Sequence, residues 1–203
     1  MDSKTSRRVK DIYKGNMLID MSKGIVHIGE VIEMVMDMFE DVMRGGPLVR
    51  EPCTKVKVML MDLSLHEDAI HRGPAQLYPA VRDGIRLAML NGNAILYEPV
   101  QVMQFEAPAE FMGDISKLIQ NKRGQLLEVN QDENHVSVKC KLPVAQMFGL
   151  TSELRSATSG RGVQYMIDQS FERMPDELQQ KMLNQIRERK GLKVNEEGIA
   201  QPK

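Results

Sequence analysis

The residues best suited to chemistry lie together in "LHEDAIHRGPAQ", Leu65 to Gln76. His66 and His71 stand five positions apart, with Glu67 and Asp68 between them and Arg72, Gly73 and Pro74 behind. A metal site is the first chemistry this set suggests. The stretch differs from the zinc-enzyme pattern H-E-x-x-H by one added residue. On a helix of 3.6 residues per turn that spacing sets the two rings about 140° apart, not on one face. Pro74 makes strand end and loop a better description than helix, and no third ligand type stands nearby. Acid–base catalysis is the second: His71 beside Asp68 forms an oriented base. Yet the sequence offers no nucleophile, cofactor loop or partner carboxylate for it to act with. The third is presentation of the loop to another molecule. Arg72 adds a full charge, and the N–H groups of Gly73, Ala75 and Gln76 at a helix start suit a phosphate. Glu67 and Asp68 would confine contact to the loop's end. Residue types alone leave presentation and plain surface decoration both open.

The elements that must hold this loop can be read from periodicity. The first fifteen residues are polar and basic and are expected to fray. "NMLIDM" alternates as a strand. Ile28, Val31, Ile32, Val35, Phe39 and Val42 then share one helix face, ended by Gly45–Pro47. "TKVKVMLMDLSL" alternates on both faces, as a central strand would. A helix opened by Pro74 buries Leu77, Val81, Ile85 and Ala88, stops at Asn91–Asn93, and "YEP" at Tyr97 to Pro99 links to a second unit.

That unit reads β-α-β-β-α-β, the order of a ferredoxin-like sandwich. "VQVMQFEA" is a strand. A helix with Phe111, Ile115, Leu118 and Ile119 on one side follows, with Gly124 as its C′ residue. "QLLEVN" and "HVSVKCKL" form a hairpin, a helix opens at Pro143, and "VQYMIDQSF" is the last strand. The expected sheet from Pro99 to Arg173 is four-stranded and antiparallel, with both helices on one face. Reading RNA on such a sheet takes stacking aromatics, and the central strands supply only Phe105. Two basic turns, at Lys122–Arg123 and Arg161, are secondary contact candidates. "NKRG" lacks the carboxylate of the guanine-reading N-K-x-D, and no G-x-x-x-x-G-K-[ST] occurs. A closing helix from Pro175, with Leu178, Met182 and Ile186 as its apolar stripe, is expected to pack towards the first domain. The tail beyond Gly191 is expected to be loose.

Composition bounds the function class. The chain has 203 residues and a formal net charge of −1, so nucleic-acid contact needs a local patch. Its 16 methionines read as core filler. Cys53 and Cys140 match no redox or zinc spacing and fit a reducing cytosol. No apolar run approaches a membrane span, and no signal peptide is evident. The expectation is a cytoplasmic protein without a metal.

The loop, followed in order by "NKRGQ", "LPVAQMFG" and "LRSATSGRG", closely resembles the translocation GTPases of the elongation factor 2 family. The likeness runs over nearly the whole chain, and Gly73-Pro74-Ala75 resembles the archaeal form. It implies an α+β protein of two domains. Residues 1–96 would be domain four, a βαβ-type sandwich of the ribosomal-protein-S5 kind, incomplete at its N-terminus. Residues 97–203 would be domain five, ferredoxin-like, with a C-terminal helix. It also implies that His71 is the residue converted to diphthamide and ADP-ribosylated by diphtheria-type toxins. His66, Asp68, His71, Arg72, Gly73 and Gln76 would form a tip that meets transfer and messenger RNA in the decoding region of the ribosome. GTP and Mg would belong to a domain this chain lacks, so the chain itself would be no enzyme. A free-standing ribosome- or RNA-binding module is the alternative.

Overall fold

The computed structural model describes residues 6–202. The chain divides into two compact units, one of residues 1–95 with 177–203 and the other of residues 96–176.

In the first unit, β1 (Val9–Tyr13) pairs antiparallel with β2 (Asn16–Asp20), and β2 pairs parallel with β3 (Lys57–Leu60). The crossover between β2 and β3 is α1 (Ile28–Arg44), and α2 (Pro74–Asn91) packs on α1. The α1 face expected from its spacing is the buried one: Val31, Val35, Phe39 and Val42 are at most 2% exposed. At its end the Gly45 N–H donates to the carbonyls of Asp41 and Val42. The core joins Leu18, Val35, Phe39, Val42, Met43 and Ile85, with Val56, Val58 and Leu60 packed against it.

Several expectations are corrected here. The basic start is β1 from Val9 on, while residues 1–5 lie outside the described ones. The central strand is β2, and β3 is a short edge strand, with Met59 in it and Met61 just beyond its end both exposed. Unbranched methionine tolerates this better than a β-branched residue would, having no shape to match. Asn16 explains why β2 is central. Fully buried, it donates to the carbonyls of Tyr13 and Cys53 and accepts from the Val56 N–H, tying the strand to the segment that leads into β3. On α2, Leu77 and Ile85 are buried and Ala88 is exposed. The closing helix α5 (Asp176–Lys190) lies, from Glu177 on, in the first unit, with Leu178, Met182 and Ile186 half-buried. Arg187 donates to the Leu48 carbonyl, and Lys190 to those of Val49 and Arg50. The tail is not loose. It forms a hairpin of β8 (Leu192–Val194) and β9 (Ala200–Pro202), with Ile199 fully buried and the Ala200 N–H bonded to the Pro47 carbonyl.

The second unit is the expected antiparallel sheet, of strands β4 (Tyr97–Pro108), β5 (Gln125–Gln131), β6 (His135–Pro143) and β7 (Val163–Arg173). Their order across the sheet is β5-β6-β4-β7. Helices α3 (Met112–Asn121) and α4 (Leu150–Ala157) cover it. Alternate residues Met103, Phe105 and Ala107 of β4 and Val136, Val138 and Cys140 of β6 sit opposite one another and meet Ile115, Ile119, Leu150 and Leu154. Each such large side chain stabilises by about 1.5–3 kcal/mol on burial. Phe105 is fully buried in this core, so it cannot stack a base. Tyr97–Pro99 begins β4 instead of forming a link, and Pro143 ends β6; α4 opens at Leu150, after Gly149 at φ 77°. The left-handed residue after α3 is Arg123 (φ 56°), not Gly124. Gly124 is there for space: a Cβ on it would lie 2.7 Å from the Ile119 carbonyl oxygen.

Candidate functional site

Beyond β3 the chain runs without regular structure to Asp68, with Leu63 and Leu65 half-buried beneath it. The Asp68 carboxylate accepts from the Ile70 N–H at 3.1 Å and caps a single 3-10 turn, Ala69–His71. An aspartate before such a turn is well suited to this, since its short side chain reaches the free N–H two residues on. Pro74 then opens α2 directly, and Leu77 in its first turn is buried. The loop is thus short and held at both ends, with Leu63 packed against the core before it and Leu77 buried after it.

His71 is exposed at the top of this turn, beside Ile70, which is 74% exposed. The His66 ring meets it edge-on at 4.6 Å between centroids. His66 Nδ1 accepts from the Asp68 N–H at 3.0 Å, which leaves Nε2 as the protonated nitrogen of the neutral ring. Asp68 and Gln76 are exposed too, but the Gln76 N–H is bonded to the Gly73 carbonyl. Gly73 has φ −78°, and a Cβ there would meet only the Gln76 side-chain oxygen at an ordinary contact of 3.5 Å, so no turn or close approach requires glycine there.

Arg72 departs from the expectation. Its side chain is turned inwards and only 7% exposed. One guanidinium nitrogen donates to the carbonyls of His66 (2.9 Å) and Glu67 (2.6 Å). The others hold Glu30 Oε2 on α1 at 2.9 and 3.2 Å. The planar fork suits this, because it meets carbonyls and carboxylate in fixed directions at once. Arg72 therefore braces the loop and brings no free charge to its tip, which carries Glu67 and Asp68 instead. The electropositive tip expected from the sequence is not what the fold builds. Glu30 also accepts from His27 at 2.6 Å. That bond first, and then the bonds from Arg72, hold its carboxyl below the usual range. Neither Glu30 nor His27 was singled out by sequence. They lie about forty positions upstream, and no local spacing points to them.

The secondary basic turns are likewise paired. Lys122 bonds Glu153 at 2.5 Å, and Arg123 bonds Glu98 at 2.9 Å. Arg161 pairs with Glu110 and lies over the Phe111 ring at 4.6 Å. They buttress the second unit and form no free basic patch. Among the described residues no group of three or more His, Cys, Asp or Glu is arranged to hold a metal ion. Burial pushes the Cys53 thiol up to about 11 and that of Cys140 to about 12, so neither is a thiolate nucleophile near neutral pH. Among the described residues no helix is long and apolar enough to cross a membrane. The site can present an imidazole on a stiff mount, with an open groove of about 510 Å³ alongside, between residues 23–27 and 62–67.

Comparison with known proteins agrees with the resemblance seen in the loop. Residues 4–93 match the model of elongation factor G, domain IV, and residues 95–191 that of the elongation factor G C-terminus. The chain is 50% identical over 190 residues to elongation factor 2 of Nanoarchaeum equitans, covering 94% of this chain and 26% of that relative. It is 48% identical over 194 residues to elongation factor 2 of Methanocaldococcus jannaschii, covering 96% and 27%. For elongation factor 2 of Pyrococcus horikoshii the identity is 46% over 195 residues, covering 96% and 27%. The chain spans about a quarter of the length of the curated relatives it matches. With two consecutive domain models matched and such identity along nearly its whole length, the chain belongs to the elongation factor 2 and G family of translation factors, in its domain IV and C-terminal regions.

Proposed function

We propose that this chain is the part of a ribosomal translocation factor that enters the decoding region and keeps transfer and messenger RNA in step as they move. The observation that supports this best is the exposed His71 on a loop stiffened from below. A rigid mount loses little conformational entropy when it meets its target. With Arg72 paired to Glu30, the tip works by shape and by the imidazole, and attraction to phosphate contributes little. His71 is the diphthamide candidate: its ring is open to diphthamide-synthesis enzymes and to toxins that transfer ADP-ribose from NAD. GTP and Mg belong to the GTPase part of the longer relatives. The chain alone neither binds nor hydrolyses GTP, since it has no phosphate-binding loop. The setting is cytoplasmic, where ribosomes work.

The test has two steps. The chain is treated with a diphthamide-synthesis system, then with toxin and labelled NAD. Label is expected on His71 and on no other residue, and is lost in His71→Ala. Label at another position, or none on a chain shown by mass to be modified, contradicts the proposal. Binding to ribosomes by the chain alone is expected to be weak. In the longer relatives several such contacts act together on one chain.

A further inference from the structure

We infer that Glu30 is a positioning residue for the His71 loop: one carboxylate on α1 that locks the loop through Arg72. This rests on reading the loop as the working tip, though its test does not need the ribosome. Three observations meet here. Arg72 is the residue next to His71, yet its side chain is buried and committed to acceptors within the protein. Its bonds to the carbonyls of His66 and Glu67 close a ring across the base of the loop, so the backbone that carries His71 cannot open unless they break. And among the described residues the one side chain bonded to that guanidinium is Glu30, 42 positions away on a packed helix.

Glu30 is itself held from its other side. Its Oε1 bonds His27, which sits at φ 64° immediately before α1. A left-handed residue other than glycine is uncommon, and here it sets the imidazole against the carboxylate one turn on. The carboxylate thus has one oxygen fixed by its own helix and the other free to hold Arg72. Glu30 remains 52% exposed while Arg72 is 7% exposed, so the outer member of the pair faces water and the inner one carries the loop. Without Glu30, Arg72 keeps its bonds to the two carbonyls but loses its tie to α1, and the loop moves as a closed ring on a loose mount.

The test compares Glu30→Ala, Glu30→Gln and, as a control on the same helix, Glu33→Gln, all in the 203-residue chain. Backbone ¹⁵N relaxation of Ile70, His71 and Arg72 is the first readout. The order parameter is expected to fall from about 0.85 to below about 0.6 in Glu30→Ala. Glu30→Gln, which keeps an acceptor without the charge, is expected to lie between, and Glu33→Gln to match the parent. Adding Arg72→Ala to Glu30→Ala is expected to loosen the loop by less than the two separate effects combined, since both remove one link. An unchanged loop in Glu30→Ala overturns the inference. So does unfolding of the first unit in both Glu30 variants, because that is a general structural role and not a local lock. Labelling of His71 by toxin, measured on the same proteins after modification, separates the two ideas. A loosened loop in Glu30→Ala with no labelling even in the parent leaves the lock standing and removes the reading of the tip.

Discussion

The ring of His66 stands edge-on to that of His71, centroids 4.6 Å apart and planes inclined at 69°. His66 is fixed from its own side by the Asp68 N–H, so it acts as a wall against which the His71 ring rests. Both rings are exposed, and neither packs in a core. Replacing either by alanine is therefore expected to change folding stability by no more than about 0.5 kcal/mol, as surface changes do. His66→Ala is expected to shift the ring resonances of His71, and to slow its modification, while urea unfolding stays the same. A large loss of stability in either variant contradicts this picture of an exposed, braced tip.

Arg72 sits beside His71 and behaves in the opposite way. Arg72→Ala removes charge-assisted bonds to three acceptors and the packing of a buried stem. Glu30 and the two carbonyls can be rehydrated where they reach the surface, so the loss is less than for a fully buried pair. The expected cost is about 1–3 kcal/mol in urea unfolding. Arg72→Lys keeps the charge but not the planar fork, and is expected to recover only part of it. If Arg72→Ala proved neutral, the brace would be incidental.

The Glu30 carboxyl gives the brace a pH dependence. Its pKa in the folded chain lies below the ordinary value of 4.5, held there by the His27 bond first and by Arg72 second. A depressed carboxyl contributes stability that is present above the unfolded value and is lost as pH falls through the folded one. The loop is therefore expected to be insensitive to pH from about 5 to neutrality on Glu30's account, and to loosen in the acid range below about 4.5. Relaxation of the His71 amide against pH checks this, with Glu30→Gln as reference. The difference between the two proteins is expected to shrink on acidification. A gap that grows as pH falls would reverse the sign.

The second unit was the more legible half. The alternation of its central strands is strict, as in Val136, Val138, Cys140 and Leu142, and the apolar sets of β4 and β6 share one destination, the helix-covered face of the sheet. The misread details there are end effects: Pro143 reads equally well as a helix start or a strand end, and the left-handed turn at Arg123 is carried by a residue that normally avoids it. In the first unit the helix face of α1 is plain, but β3 reads as a central strand because Val56, Val58 and Leu60 form one apolar row and Met59 and Met61 begin a second on the other face. Methionine reports hydrophobicity without reporting burial. At the site, the exposure of His71 followed from a loop between a strand and Pro74. The inward turn of Arg72 did not, because it depends on Glu30, and a contact at that separation leaves no local pattern. The tail was misread for the same reason. Its partners, Pro47 and the neighbouring loop, lie at the other end of the sequence.

That tail carries the last prediction. Ile199 is fully buried although the segment around it, "NEEGIAQPK", is polar and rich in charge. Its backbone is pinned at both ends: the Ile199 N–H donates to the Asn195 side-chain oxygen at 2.7 Å, and the Asn195 N–H donates to the Ile199 carbonyl at 3.1 Å. The next residue, Ala200, donates to Pro47 in the loop after α1. That loop also receives Arg187 and Lys190 of α5, and Lys190 pairs with Glu51 at 2.6 Å. The buried isoleucine thus lies in a segment tied by its neighbours to residues 47–51. Ile199→Ala is expected to destabilise the first unit by about 2–4 kcal/mol, the range for emptying a well-packed isoleucine site. Ile199→Val, which removes a single methyl group, is expected to cost about 1 kcal/mol. Hydrogen exchange assigns the effect. Amides of residues 45–53 are expected to lose protection in Ile199→Ala, and those of β4 and β6 to keep theirs. Full protection of residues 45–53 in that variant would mean that the tail rests on the first unit without supporting it.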